Sequence, residues 1–263
     1  ALGADVVMDT DHATGADGSI DVNGTIDGAQ NLTFVAGDGN VDLHGAVGGT
    51  NRVGDMTITS VNDFTADAGI RAATITQTAG TGTTTFNGPL DTNAAGGIDL
   101  NGNNFTINQT VDTAAGGPVQ ITNAGQLTID ALADMTLDGA FLQDGTGPVS
   151  TAGDITTTND NIEFTSAVTL TGDVALNTDV GAGNITFQNT VDGNQSLTMT
   201  AGSGDVTANA AVGGTTPLSL FDVVSASNVT LYAVTTQNNA VVGNTINIGS
   251  GSPITGTIRL TGD

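Results

Sequence analysis

The chain has no cysteine, no tryptophan, no lysine and a single tyrosine, Tyr232. Without cysteine there are no disulfides and no thiolate metal site. Without lysine there are no internal Lys–Asn isopeptide staples, and Arg52, Arg71 and Arg259 are the only fixed cations. Without tryptophan the aromatic platforms that usually support sugar subsites are missing. No apolar run approaches the roughly 20 residues of a membrane helix, so no membrane insertion is expected. The opening Ala-Leu-Gly-Ala-Asp does not read as a signal peptide. The helix formers Leu, Glu, Lys, Arg and Gln are scarce, which argues against helix.

What is present is acid, glycine, threonine and asparagine. There are 27 acids, all Asp except Glu163, and the formal net charge is -24. Such a surface repels nucleic acid and anionic membrane and attracts cations. High net charge with few aromatics is one signature of disorder. Against it, 38% of residues are hydrophobic and they recur at regular intervals. A disordered chain has no reason to keep that order.

The sequence repeats itself. Residues 18–50 and 183–215 are identical at 17 of 33 positions, at an offset of 165 and with no gap. The register extends over 18–66 against 183–231, through Met56/Phe221, Ile58/Val223 and Thr65/Thr230. This is a duplication inside one continuous unit, 1–263, and it suggests a parent with further copies. Beneath it lies a short motif of apolar, polar, apolar residues, as in Leu32-Thr33-Phe34, Phe105-Thr106-Ile107, Leu127-Thr128-Ile129 and Ile185-Thr186-Phe187. Period-two alternation puts both apolar residues on one face and the Thr on the other. Turns rich in Gly, Asn and Asp separate the motifs.

The strands are too short for a good sandwich, and similar strings recur one coil apart. Asp17-Gly18-Ser19-Ile20-Asp21-Val22 and Asp38-Gly39-Asn40-Val41-Asp42-Leu43 are displaced by 21. Three short strands per turn of about 20 to 25 residues make an all-β, single-stranded parallel β-helix, a β-solenoid. Stacking then buries a column of Val, Ile, Leu, Phe and Met that no coil buries alone. At about 22 residues per coil the chain makes about 12 coils.

Strings such as Asn184-Ile185-Thr186-Phe187, Thr190-Val191-Asp192-Gly193 and Ala211-Val212-Gly213-Gly214 resemble the repeats of filamentous-haemagglutinin-type exoproteins and related giant bacterial adhesins. The likeness covers most of the chain, with 131–182 less regular. It implies a right-handed helix, export to the cell surface and a stalk or adhesive role. No amino-terminal secretion domain of the two-partner type is visible, so the export route stays open.

Candidate sites are few. Asp17 over Asp38 and Asp21 over Asp42 would stack carboxylates that a calcium ion could bridge, since Ca²⁺ takes carboxylate and carbonyl oxygens. The plainer reading is solvated turn acids that keep a fibre soluble. Catalysis is not expected. The three arginines are far apart in sequence, His12 and His44 lack a Ser or Cys constellation, and fold analogy cannot replace a site. Thr57-Ile58-Thr59, Thr74-Ile75-Thr76 and Thr156-Thr157-Thr158 resemble ice-binding solenoids but are scattered, and Thr is a favoured strand residue. Asn-x-Ser/Thr occurs at Asn23, Asn31, Asn104, Asn108, Asn184, Asn194 and Asn228, where inward Asn ladders are the favoured role for some.

Neither end carries a polar cap, which fits a segment cut from a longer solenoid or a subunit stacking end to end. The expected function is a structural segment of an extracellular fibre or cell-surface adhesin. Its partners would be itself and surface or matrix glycans. The alternatives are a calcium-binding surface-layer or biofilm-matrix protein and, more distantly, a carbohydrate-active β-helix enzyme.

Overall fold

The structure is a computed structural model that describes residues 1–13 and 15–237, and the strands Ile246–Ile248 and Ile258–Leu260. Among the described residues every strand pairing is parallel and there is no helix. The chain winds as a β-solenoid of about 10 turns with about 22 residues per turn. Stacked strands lie about 4.8 Å apart, so ten turns make a rod about 48 Å long. The estimate of about 12 coils divided the whole length; the continuous described stretch stops at 237.

Each turn carries three short strands, and like strands stack into three columns. Column one begins with Val6–Asp9, Leu32–Val35 and Met56–Ser60. Column two begins with Ile20–Val22, Val41–Leu43 and Phe64–Ala66. Column three starts as single bridges at Ile26 and Val47 and continues through Ile70–Ala72 and Leu90–Thr92. Columns one and two fuse where the long strand Val206–Val212 turns the corner and pairs in both.

The apolar residues of the motif face inward. Leu32, Phe34, Val41, Leu43, Ile185 and Phe187 are all buried, and the central Thr or Asp faces out. Phenylalanines stack along the axis: Phe141, Phe164 and Phe187 have successive ring centroids 5.1 and 5.4 Å apart. Pro89, Pro118, Pro148 and Pro217 each stand just before an inward-facing residue, where the missing N–H costs the ladder nothing. Pro253 lies outside the described residues.

Residues 131–182, irregular in sequence, fold into the same three-strand coil. Their alternation is masked because some inward positions are polar. Gln143, Thr151 and Thr157 are buried, as is Asn123 one turn earlier. Asn123 and Gln143 form an internal amide ladder at the corner between columns one and two. Gln143 Nε2 donates to Asn123 Oδ1 at 2.8 Å and to Gly145 O at 3.1 Å, while Gln143 Oε1 accepts from the Thr165 and Ser166 N–H groups. Asn123 Nδ2 reaches the Gly125 and Gly147 carbonyls. Corner backbone that a sheet would leave unpaired is satisfied from inside.

Local structure recurs at the offset of 165. Asp27 Oδ1 accepts the N–H groups of Thr50 and Asn51, and Asp192 Oδ1 accepts those of Thr215 and Thr216. Gly37 donates to Ser60 Oγ and Gly202 to Ser225 Oγ, both at 3.1 Å and both glycines at φ 55°. A register shift falls at Phe34/Val35 and again at Met199/Thr200.

The matched residues nevertheless stand in different columns. Ile20 is in column two and Ile185 in column one; Leu32 is in column one and Leu197 in column three. Val47 is in column three and Val212 in column two. The offset therefore falls one column short of a whole number of turns, and the second segment is rotated by one face of the rod.

Candidate functional site

A recurring set of acids and amides sits at corners, one residue before the first inward position of a strand. Many of these side chains accept the backbone N–H of their counterpart one turn on. Asp5 Oδ1 takes Asn31 N–H and Asn31 Oδ1 takes Asp55 N–H, each at 2.9 Å. Further along, Asn161 Oδ1 takes Asn184 N–H and Asn184 Oδ1 takes Asp205 N–H, each at 2.8 Å. Asp205 Oδ1 then takes Asn228 N–H at 2.9 Å. In column two Asp63 Oδ1 takes Thr83 N–H at 2.7 Å, and in column three Asp154 Oδ1 takes Ala175 N–H at 2.7 Å. Short Asx side chains reach a neighbouring N–H where longer ones lose more rotamer freedom, which accounts for Asp over Glu.

These ladders correct the sequence expectation of inward Asn stacks. Asn31, Asn104 and Asn184 do form ladders, but at exposed or half-buried corners, because the N–H they serve lies outside the packed column. The inward amides are Asn123 and Gln143, neither of which is in an Asn-x-Ser/Thr string.

Of the four calcium candidates, Asp17 accepts two backbone donors, His12 N–H at 2.9 Å and Asp38 N–H at 2.8 Å. The Asp38 N–H, then the His12 N–H, holds its carboxyl below the usual range. Asp38 thus meets Asp17 through its backbone rather than its carboxylate. Asp21 and Asp42 do stack in register on the outer face of column two. Asp21 is also joined by Asn23 Nδ2 at 3.0 Å. Among the described residues no group of three or more His, Cys, Asp and Glu is arranged to hold a metal ion.

His44 bridges three successive turns. Its Nδ1 lies 2.7 Å from Asp67 Oδ2 on one side and its Nε2 3.6 Å from Asp21 Oδ1 on the other. The row continues as Asn87 Nδ2 donates to Asp67 and Asn108 Nδ2 to Asn87. The bond to Asp67 raises the His44 pKa above its ordinary 6.5, and the same bond lowers that of Asp67 below 3.8. The His44 contribution to stability is full below pH 6.5 and fades as pH rises through the raised value. The Asp67 contribution is present above pH 3.8 and fades as pH falls through the lowered value. The melting temperature is therefore expected to fall as pH rises from 6.5 through the raised His44 value. His44→Gln should flatten that slope in a calorimetric pH series; an unchanged slope contradicts the staple.

Cross-strand stacking also makes a rank of hydroxyls that no single strand reveals. On the outer face of column two Thr65, Thr85, Thr106, Thr128, Ser150 and Thr169 are registered on six successive turns, bounded by Asp42 and Asp192. The Thr-x-Thr strings within strands contribute none of these residues. Thr suits an outward strand position on β-propensity alone.

Arg52 and Arg71, 19 residues apart in sequence, meet in space. Arg52 Nη2 lies 2.6 Å and Arg71 Nε 3.2 Å from Asp91 Oδ2. Arg52 also donates to the carbonyls of Ala72 and Asp91. Arg71, Asp91 and Asp112 stand in register on the outer face of column three. Burial pushes the Asp91 carboxyl up, but the two guanidinium groups outweigh it and hold it below its usual range. Asp112 goes the other way, raised by burial and then by the neighbouring Asp91 charge. Sequence reading missed this cluster because it judged distance along the chain. The signal was the spacing: 52, 71 and 91 lie close to one coil apart.

The fold defines the chain as a parallel β-solenoid. Comparison with protein-family models, curated proteins and solved structures finds no match. The class rests on the fold.

Proposed function

We propose that this chain is a structural, non-catalytic segment of an extracellular fibre or cell-surface adhesin, of the filamentous-haemagglutinin kind. The observation that carries the reading is the rotated recurrence. Segments 18–66 and 183–231 share several backbone-capping bonds at different angular positions around the rod. What recurs is the capacity to build coils, not a surface aimed in one direction. A catalytic or receptor face duplicated for its chemistry gains little from being turned to another side. The acidic corners support the same reading, since they serve the stack and leave charge outward, which discourages lateral association.

On this reading the partners are further coils, in the same chain or a second copy, and surface or matrix glycans. Catalysis has no support in the Arg–Asp cluster, because Asp91 is held by two arginines and is a poor base. Immunogold labelling of intact producing cells with antibody to this segment tests the proposal. Label on the outside, on extended material, is expected; label confined to the interior contradicts it.

A further inference from the structure

We infer that the hollow beside Arg71, Asp91 and Asp112 is a binding site for a neutral glycan, read through its hydroxyls. This gives the adhesin reading a specific contact and rests on that reading for its biological setting; the chemistry rests on the hollow itself.

The hollow measures about 460 Å³, within the range of small-ligand sites. Its floor follows the corner before column three, where Gly69, Pro89 and Thr110 stand on successive turns. Three turns span about 10 Å along the axis, room for about two sugar units. A side chain at 69 would crowd Pro89, since its Cβ would lie 3.2 Å from Pro89 Cγ. Pro89 supplies an apolar wall for sugar C–H groups.

The polar groups offer a donor, Arg71, and an acceptor, Asp112, on the two turns that flank Asp91. Asp91 Oδ2 accepts from both Arg52 and Arg71. Arg71 uses Nε on Asp91 and Nη1 on Gly49 O, and its Nη2 has no partner among the described residues. The Asp112 carboxylate accepts no hydrogen bond among the described residues and is not paired to an arginine. The hydroxyls of one glycan serve both: one donates to Asp112, and another accepts from Arg71. Charge disfavours an anionic sugar, which meets Asp112 and a chain of net charge -24.

A plain ion-pair staple does not account for these features. Arg52 alone neutralises Asp91, and the counterpart of Arg52 at the 165 offset is Pro217, so the second segment builds a similar loop without that charge. Two of the three arginines in the chain meet at this one place.

The test is saturation-transfer NMR on the intact chain with neutral manno-, gluco- and galacto-oligosaccharides, and with oligogalacturonate as the acidic contrast. Binding of at least one neutral series and none of the acid is expected. Asp112→Asn should weaken it about tenfold or more through loss of a charged acceptor. Asp112 makes no bond that the fold needs, so this variant should fold normally. Thr110→Phe, which fills the hollow and leaves the charges in place, should abolish binding. Thr169→Ala, on column two, should leave it unchanged. No neutral binding at millimolar concentration, preference for the acid, or binding indifferent to both hollow variants overturns the inference. Immunogold labelling separates that failure from failure of the fibre reading, which would show as label confined to the cell interior.

Discussion

Phe164→Ala is expected to lower the stability of the solenoid by about 3–5 kcal/mol, the usual cost of emptying a buried phenylalanine site. Phe164 is buried between Phe141 and Phe187, with centroids 5.1 and 5.4 Å away and its ring nearly parallel to that of Phe187. Ring contacts of this kind add about 0.5–1.5 kcal/mol to area burial. In a stack each turn touches only its neighbours, so the loss is concentrated on the turns around residue 164. Urea denaturation should show a lower midpoint or a new early transition. Thr169→Ala, outward on the same turn, should stay within about 0.5 kcal/mol. A loss below about 1 kcal/mol for Phe164→Ala would contradict the continuous inner column.

Gln143→Ala should be nearly as damaging, by about 3 kcal/mol or more, although it removes a polar side chain. The amide is buried with both ends engaged: Nε2 on Asn123 Oδ1 and Gly145 O, Oε1 on two backbone N–H groups. Truncation leaves Asn123 Oδ1 and the Ser166 N–H without a partner, at about 1–3 kcal/mol each. Gln77 provides the contrast. It is also buried, but its Nε2 has no partner among the described residues and its Oε1 meets one hydroxyl, Thr84 Oγ1 at 2.9 Å. Gln77→Ala should therefore cost clearly less than Gln143→Ala in the same denaturation series. Equal costs would mean that the internal amide ladder contributes only volume.

These two side chains also mark where the sequence was readable and where it was not. Leu32-Thr33-Phe34 and its relatives carried the coil openly, because Thr outside and large apolar residues inside make a clean period of two. The 21-residue displacement of Asp17–Val22 and Asp38–Leu43 gave the length of a turn, and Ile20 does stand over Val41. Residues 131–182 hid the same coil because an inward Gln143 reads as an outward residue until its partners are known. The corner ladders were hidden too, since an Asp that accepts a backbone N–H one turn away looks like any solvated turn acid.

The candidate site was less legible than the fold. Stacking brings together residues about one turn apart, so Arg52, Arg71 and Asp91 meet although nothing local links them. The hydroxyl rank from Thr65 to Thr169 is built the same way, one residue per turn. The rotation of the repeat was implicit in the numbers: 165 is not a whole multiple of a turn of about 22 residues. Its meaning needed the strand register, which puts Leu32 and Leu197 in different columns.

Small-angle X-ray scattering of the monomeric chain in dilute solution tests the central claim most directly. A rod of stacked coils predicts a skewed pair-distance distribution with a constant cross-section and a long axis of about 50 Å or more, set by roughly 4.8 Å per turn. A symmetric distribution from a compact particle, or the featureless decay of an unfolded chain, would contradict it.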